Sequence, residues 1–180
     1  GSEMCIRDRL LAINLSYEYA DKERLDKLIR LDNILNASKS PKEIRLASQK
    51  LGSRFIKTLL STEINYKNNN FLDYASKSKN NLPTHTVAYG VFCQSVGIER
   101  ERAIEGFLYS YTSSTITNCV KSIPLSQTQG QQLLYKSHDI FEEVINKLDE
   151  LTIDDLCLST PGFDIRCMQH ENLYSRLYMS

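Results

Sequence analysis

The stretch Ile123-Pro124-Leu125-Ser126-Gln127-Thr128-Gln129 stands between the two longest apolar patterns of helical period in the chain. Pro124 stops the first pattern, because a proline lacks the backbone donor and clashes with the turn before it. Ser126 and Gln129 stand three apart ahead of an apolar run, the spacing at which each side chain serves the other's backbone N–H at a helix start. Upstream, Ala103, Ile104, Phe107, Leu108, Tyr111, Ile116, Cys119, Val120 and Ile123 predict a helix over Glu99–Ile123. Downstream, Leu133, Leu134, Ile140, Phe141, Val144, Ile145 and Leu148 predict another over Gln127–Leu148. A turn this short makes the two antiparallel.

Working outward, Ser40-Pro41-Lys42-Glu43 reads as Ser at the N-cap, Pro at the first helical position and Glu closing a capping box. The helix it opens runs to about Leu60, with Ile44, Ala47, Leu51, Phe55 and Thr58/Leu59 forming one face. Asp21 is expected to cap a helix carrying Leu25, Leu28, Ile29 and Leu35. A short helix over Phe71–Lys77 follows, and Thr84 caps a further one to Val96, closed by Gly97. A turn near Ile153–Leu156 leads to the breaker Ser159-Thr160-Pro161-Gly162. No alternating segment is long enough to demand a sheet. The chain therefore reads as all-α: a single-domain helical bundle of about five to seven helices over residues 10–162, with a C-terminal partner-binding tail over residues 163–180. Gly1–Arg9 reads as an unnatural start and is set aside.

Composition narrows the function classes. The 180 residues hold 22 Lys+Arg against 22 Asp+Glu, which removes the electrostatic footprint of a nucleic-acid binder. No apolar run approaches a bilayer span, so no membrane role is expected. Five scattered cysteines with no Cys-x-x-Cys pair suit a reducing cytoplasm. The balance hides a gradient: residues 1–60 carry twelve bases and eight acids, residues 121–180 five bases and nine acids. Such a dipole suits a head-to-tail encounter or a basic partner at the C-terminal end, unless the charges only solvate helix faces.

Catalytic signatures are missing. There is no phosphate-cradling loop and no dinucleotide fingerprint, and His170-Glu171 lacks the second histidine of a zinc peptidase. Carboxylates lie on helix faces, none in a setting apolar enough to raise its pKa for acid catalysis. No catalytic residue is assigned. Cys167 and His170, three apart, are weak candidates for a soft metal, with no tight site expected; His85 and His138 are isolated. The hydroxyl run Thr112–Thr117 is read as core packing or as a seam where another helix comes close. The tail crowds Met168, His170, Glu171, Leu173, Tyr174, Arg176, Leu177 and Tyr178 together, rich in the aromatic and arginine side chains that anchor interfaces. It docks either on the chain's own core or on a different protein.

Three segments carry a family resemblance. Ile123-Pro124-Leu125-Ser126-Gln127-Thr128-Gln129-Gly130-Gln131 resembles the signature of the urease accessory protein UreF family. Met168-x-His170-Glu171-x-x-Tyr174-x-Arg176-Leu177-Tyr178-x-Ser180 resembles that family's C-terminus, and Glu43-x-Arg45-x-x-Ser48 followed by Gly52 is a third match. Ser126 departs from the glycine usual in the turn, and Gln129 stands where an acid is common. The family's longer N-terminal region is missing, so the chain resembles an N-terminally incomplete member with part of its helical core expected to be open.

The resemblance implies a non-catalytic, cytoplasmic, all-helical adaptor for nickel insertion into apo-urease. It implies a homodimer that joins a second accessory protein (UreD or UreH) to the nickel-carrying GTPase UreG, with no tightly bound cofactor and nickel handled transiently by the complex. Onto this sequence it maps His170, Glu171, Tyr174, Arg176, Leu177 and Tyr178 as partner contacts. Lys121, Pro124, Gln127 and Gln131 map to the dimer or GTPase-facing region. The alternative is a helical regulatory or structural interaction module unrelated to nickel.

Overall fold

The computed structural model describes residues 2–79, 81–157 and 161–170, with side chains over 6–79, 81–157 and 165–169. Its regular elements are α1 (Ser2–Asp21), α2 (Leu25–Ser38), α3 (Lys42–Leu60), α4 (Asn70–Ser78), α5 (His85–Val96), α6 (Arg100–Ser122), α7 (Gln127–Leu148), a 3-10 turn (Ile153–Asp155) and α8 (Pro161–His170). No strand occurs among the described residues, and the class is all-α. The chain forms two compact units, Gly1–Gly97 with Thr152–Ser180, and Ile98–Leu151.

In the first unit α5 is the hub, packed against α1, α2, α3 and α4. Its Val87, Ala88 and Val91 are completely buried, and Gly97 ends it in the left-handed region at φ 77°. Gly90 lets α1 come close, since a β-carbon there would fall 2.7 Å from the Ile13 carbonyl oxygen. Phe92 brings Phe55 of α3 and Phe71 of α4 together, with ring centroids 5.8 and 5.6 Å away. Edge-on aromatic pairs of this kind add to the area they bury.

Helix α1 corrects the sequence reading most. Leu10, Leu11, Ala12 and Ile13 are at most 1% exposed, so the helix is buried on every side over residues 10–16 and shows no amphipathic period there. The segment set aside takes part as well: Arg7 Nη2 donates to the Asp155 carbonyl oxygen at 2.9 Å. Asp21 is the last residue of α1 and not the cap of α2, whose N-cap position is Arg24.

The start of α3 also differs. Pro41 occupies the N-cap position, at φ −66° and ψ 125°, and no side chain caps the helix there. Arg45 instead reaches back and donates to the carbonyls of Lys39 and Ser40, at 2.7 and 3.3 Å. Lys39 Nζ donates to Ser48 Oγ at 2.6 Å, and Gln49 Nε2 to Asn36 Oδ1 at 3.0 Å. Arg45 and Ser48 thus tie the preceding loop to their own helix. The buried stripe is rotated from the face read in the sequence: Leu51 is 53% exposed and Ala47 is exposed, Ile44, Phe55 and Leu59 are half-buried, and Gln49, Gly52 and Ile56 are buried. Gly52 explains the rotation. A β-carbon there would fall on the Pro83 carbonyl oxygen and lie 2.8 Å from the Thr84 carbonyl carbon, so only the side-chain-free stripe can approach that backbone.

Candidate partner-binding surfaces

The second unit positions the turn that opened the sequence reading. Ser126 Oγ accepts from the Gln129 amide at 3.2 Å while Gln129 Oε1 accepts from the Ser126 amide at 2.9 Å, the expected capping box. Arg100 meets Asp149 at 2.6 Å, the Tyr109 ring lies 5.8 Å from His138, and a β-carbon on Gly130 would lie 3.1 Å from Ile116 Cγ2. Partners early in α6 are late in α7, so the helices are antiparallel. Gly130 lets them close tightly beside the turn.

Lys121, Pro124, Gln127 and Gln131 are all exposed around that turn. Apolar side chains continue the exposed surface: Ile123 is 55% exposed, Leu133 49% and Tyr135 80%. A pair of helices cannot bury every apolar position that its periodicity offers. The hydroxyl run stays helical, with Thr115 and Thr117 donating to the carbonyls of Tyr111 and Ser113 at 2.9 and 2.8 Å. Ser114, Thr115 and Thr117 are exposed, so this run is not buried core.

Of the tail, Pro161–His170 is α8, which begins on the breaker proline as a proline-first helix should. It carries Cys167 and His170 at the spacing proposed for a metal pair, and Cys167 is half-buried. Ile165 and Met168 are 54% and 40% exposed. Glu171, Tyr174, Arg176, Leu177 and Tyr178 lie outside the described residues, as does the side chain of His170. Among the described residues no group of three or more His, Cys, Asp or Glu side chains converges to hold a metal.

The other histidines sit among aromatic rings, His85 with its centroid 5.0 Å from Phe55 and His138 5.0 Å from Phe141. Burial and then the charge of Arg9 lower the His85 pKa, so its ring is neutral at pH 7. Burial pushes the Cys93 thiol up to about 11, leaving it unreactive at neutral pH.

One carboxylate contradicts the sequence reading. Asp32 is 1% exposed, and burial raises its pKa to about 6 against the hydrogen bonds that favour its charge. Oδ1 accepts from the Thr84 amide at 2.7 Å and from the Thr84 hydroxyl at 2.8 Å; Oδ2 accepts from the Tyr74 hydroxyl at 2.6 Å. Thr84 stands at the N-cap of α5 as expected, but its hydroxyl serves Asp32 and not the helix. The group fastens α2, α4 and the start of α5 together. Its position among Leu28, Leu31 and Leu35 on one stripe of α2 was the signal available in the sequence. An open cleft of about 600 Å³ nearby is lined by Glu23, Tyr66, Lys67, Asn69 and Asp73, a mixed-charge wall with no shared chemistry.

Fold and surfaces together define a helical interaction protein, with exposed apolar side chains beside a capped turn and on α8. The UreF family model matches residues 5–138. A urease accessory protein UreF from Sporosarcina pasteurii is 32% identical over 170 residues, covering 92% of this chain and 81% of its own length. The UreF of Bacillus sp. (strain TB-90) is 30% identical over 172 residues, 94% of this chain and 74% of its own. That of Ureaplasma parvum is 28% identical over 186 residues, 99% and 77% respectively. The chain belongs to the UreF family. It is accordingly a non-catalytic accessory protein of urease maturation that works with other urease accessory proteins. The turn signature lies inside the matched span and the tail signature beyond it.

Proposed function

We propose that this protein is the adaptor of nickel insertion into apo-urease, joining a UreD- or UreH-type accessory protein to the nickel-carrying GTPase UreG in the cytoplasm. The observation that carries the reading is the exposed, capped turn over residues 121–131, with Ile123 and Tyr135 open to solvent beside it. In this reading Lys121, Pro124, Gln127 and Gln131 face a second copy or the GTPase. His170, Glu171, Tyr174, Arg176, Leu177 and Tyr178 hold the second accessory protein. Nickel is cargo: a tight site would retain the ion against onward delivery, so Cys167 and His170 make at most a passing contact. An adaptor couples GTP hydrolysis elsewhere to metal release by binding partner states unequally, since only differential affinity shifts an equilibrium.

The test is reconstitution from purified parts. The chain should bring UreD or UreH and UreG into one complex on size-exclusion chromatography and raise nickel-dependent urease activation. If the partners assemble and activate equally well without it, the adaptor role is wrong.

A further inference from the structure

We infer that the outward ridge of α3 is a docking surface for an acidic segment of a partner protein. This inference rests on the adaptor reading and names a surface which that reading does not use. Helix α3 carries Lys42, Arg45, Lys50, Arg54 and Lys57 against the single acid Glu43. Lys50, Arg54 and Lys57 recur at i, i+4 and i+7, which puts them on one ridge over about 10 Å of helix. All three are exposed, on the side away from buried Gln49, Gly52 and Ile56.

Some cations elsewhere are paired, among them Lys22 with Glu18 at 3.7 Å, Arg24 with Asp26 at 3.1 Å and Lys147 with Glu143 at 2.6 Å. No ion pair among the described residues involves Lys50, Arg54 or Lys57. Like charges one turn apart repel, and carboxylates from outside would relieve that repulsion. Leucines flank the ridge, Leu46 at 41% exposure and Leu51 at 53%, so the surface offers apolar contact around a cationic centre. That combination fits an acidic, apolar-edged protein segment.

Two other occupants fit less well. A second copy would have to present the acids of its α7, but there Lys136 and Lys147 share a face with Asp139 and Glu143, and Glu143 already holds Lys147 at 2.6 Å, so that helix offers no uninterrupted acidic stripe. A bilayer would need a continuous apolar face to insert, and the inward face of α3 is fixed against the Pro83–His85 backbone through Gly52.

The full chain is titrated against each purified urease accessory protein at low and high salt, as wild type, as K50Q/R54Q/K57Q and as K50R/K57R. Glutamine is a good helix former, so the neutral variant keeps α3, and far-UV circular dichroism verifies this. The expected result is a loss of about tenfold or more in affinity for one partner in the glutamine variant, a flatter salt dependence, and retention in the arginine variant. Equal affinity of wild type and glutamine variant at both salts overturns the α3 surface and leaves the adaptor reading standing. Wild-type chain that binds none of the proteins overturns the adaptor reading, and this inference with it. A change confined to self-association on sedimentation, or to binding of phosphatidylserine vesicles, assigns the ridge to a second copy or a membrane and overturns the proposal.

Discussion

Tyr74 donates its hydroxyl proton to Oδ2 of Asp32 at 2.6 Å, joining α4 to α2 inside the core. The acceptor is titratable, and Lys39 is the cation whose charge reaches it. Burial, the dominant cause, raises the carboxyl from 3.8 to about 6. A raised carboxyl pKa means that the folded state favours the protonated form. The stability it contributes is full below pH 3.8 and is lost as pH rises through about 6. Asp32→Asn should remove that slope. Denaturation at about pH 4 and about pH 7 should show the wild-type-minus-variant difference changing by roughly 1–3 kcal/mol. Parallel profiles for the two proteins would contradict the assignment.

Gly52→Ala should destabilise the first unit, because the new methyl group meets the Pro83 carbonyl oxygen and main chain at Thr84 and His85, not the end of a flexible side chain. The expected cost is about 1–3 kcal/mol in urea denaturation, with loosening of the Asp32–Thr84 hydrogen bonds. Amide exchange at Thr84 should rise in step. An unchanged midpoint would mean that α3 can slide without cost.

The capping box offers a milder probe. Ser126→Ala removes the acceptor for the Gln129 amide and should cost about 1 kcal/mol. The effect should concentrate in the first turn of α7, read by hydrogen exchange over residues 127–131. Uniform destabilisation across the chain would point to some other role for Ser126.

In the tail, Arg176→Ala with Tyr174→Ala is expected to abolish binding of the second accessory protein and urease activation, while stability stays within about 0.5–1 kcal/mol. Loss of binding together with unfolding would instead make these residues part of the chain's own core.

What was legible in the sequence was whatever local chemistry decides. The end of α5, the end of α6 and the start of α7 follow from Gly97, Pro124 and the Ser126–Gln129 box, each acting on backbone groups a few residues away. The Ser40–Glu43 signal predicted a helix in the right place with the wrong cap: Pro41 takes the N-cap position without a side-chain cap, and Arg45 ties down the loop by donating to the Lys39 and Ser40 carbonyls. Lys121, Pro124, Gln127 and Gln131, which only the family resemblance singled out, lie exposed around the Pro124 turn.

By itself, then, the sequence determined the helical class, most helix boundaries, the antiparallel pair at Pro124 and the family. Tertiary structure alone decided which stripe of α3 turns inward, that α1 is a buried core helix, and that Asp32 bonds to residues on two other helices. Periodicity reports which positions are apolar, not which neighbour comes closest. At Gly52 the absence of a side chain admitted a main chain that Leu51 would have kept out, and the leucines were left facing water. Burial of a carboxylate likewise depends on donors brought from distant segments, and no local pattern encodes their arrival.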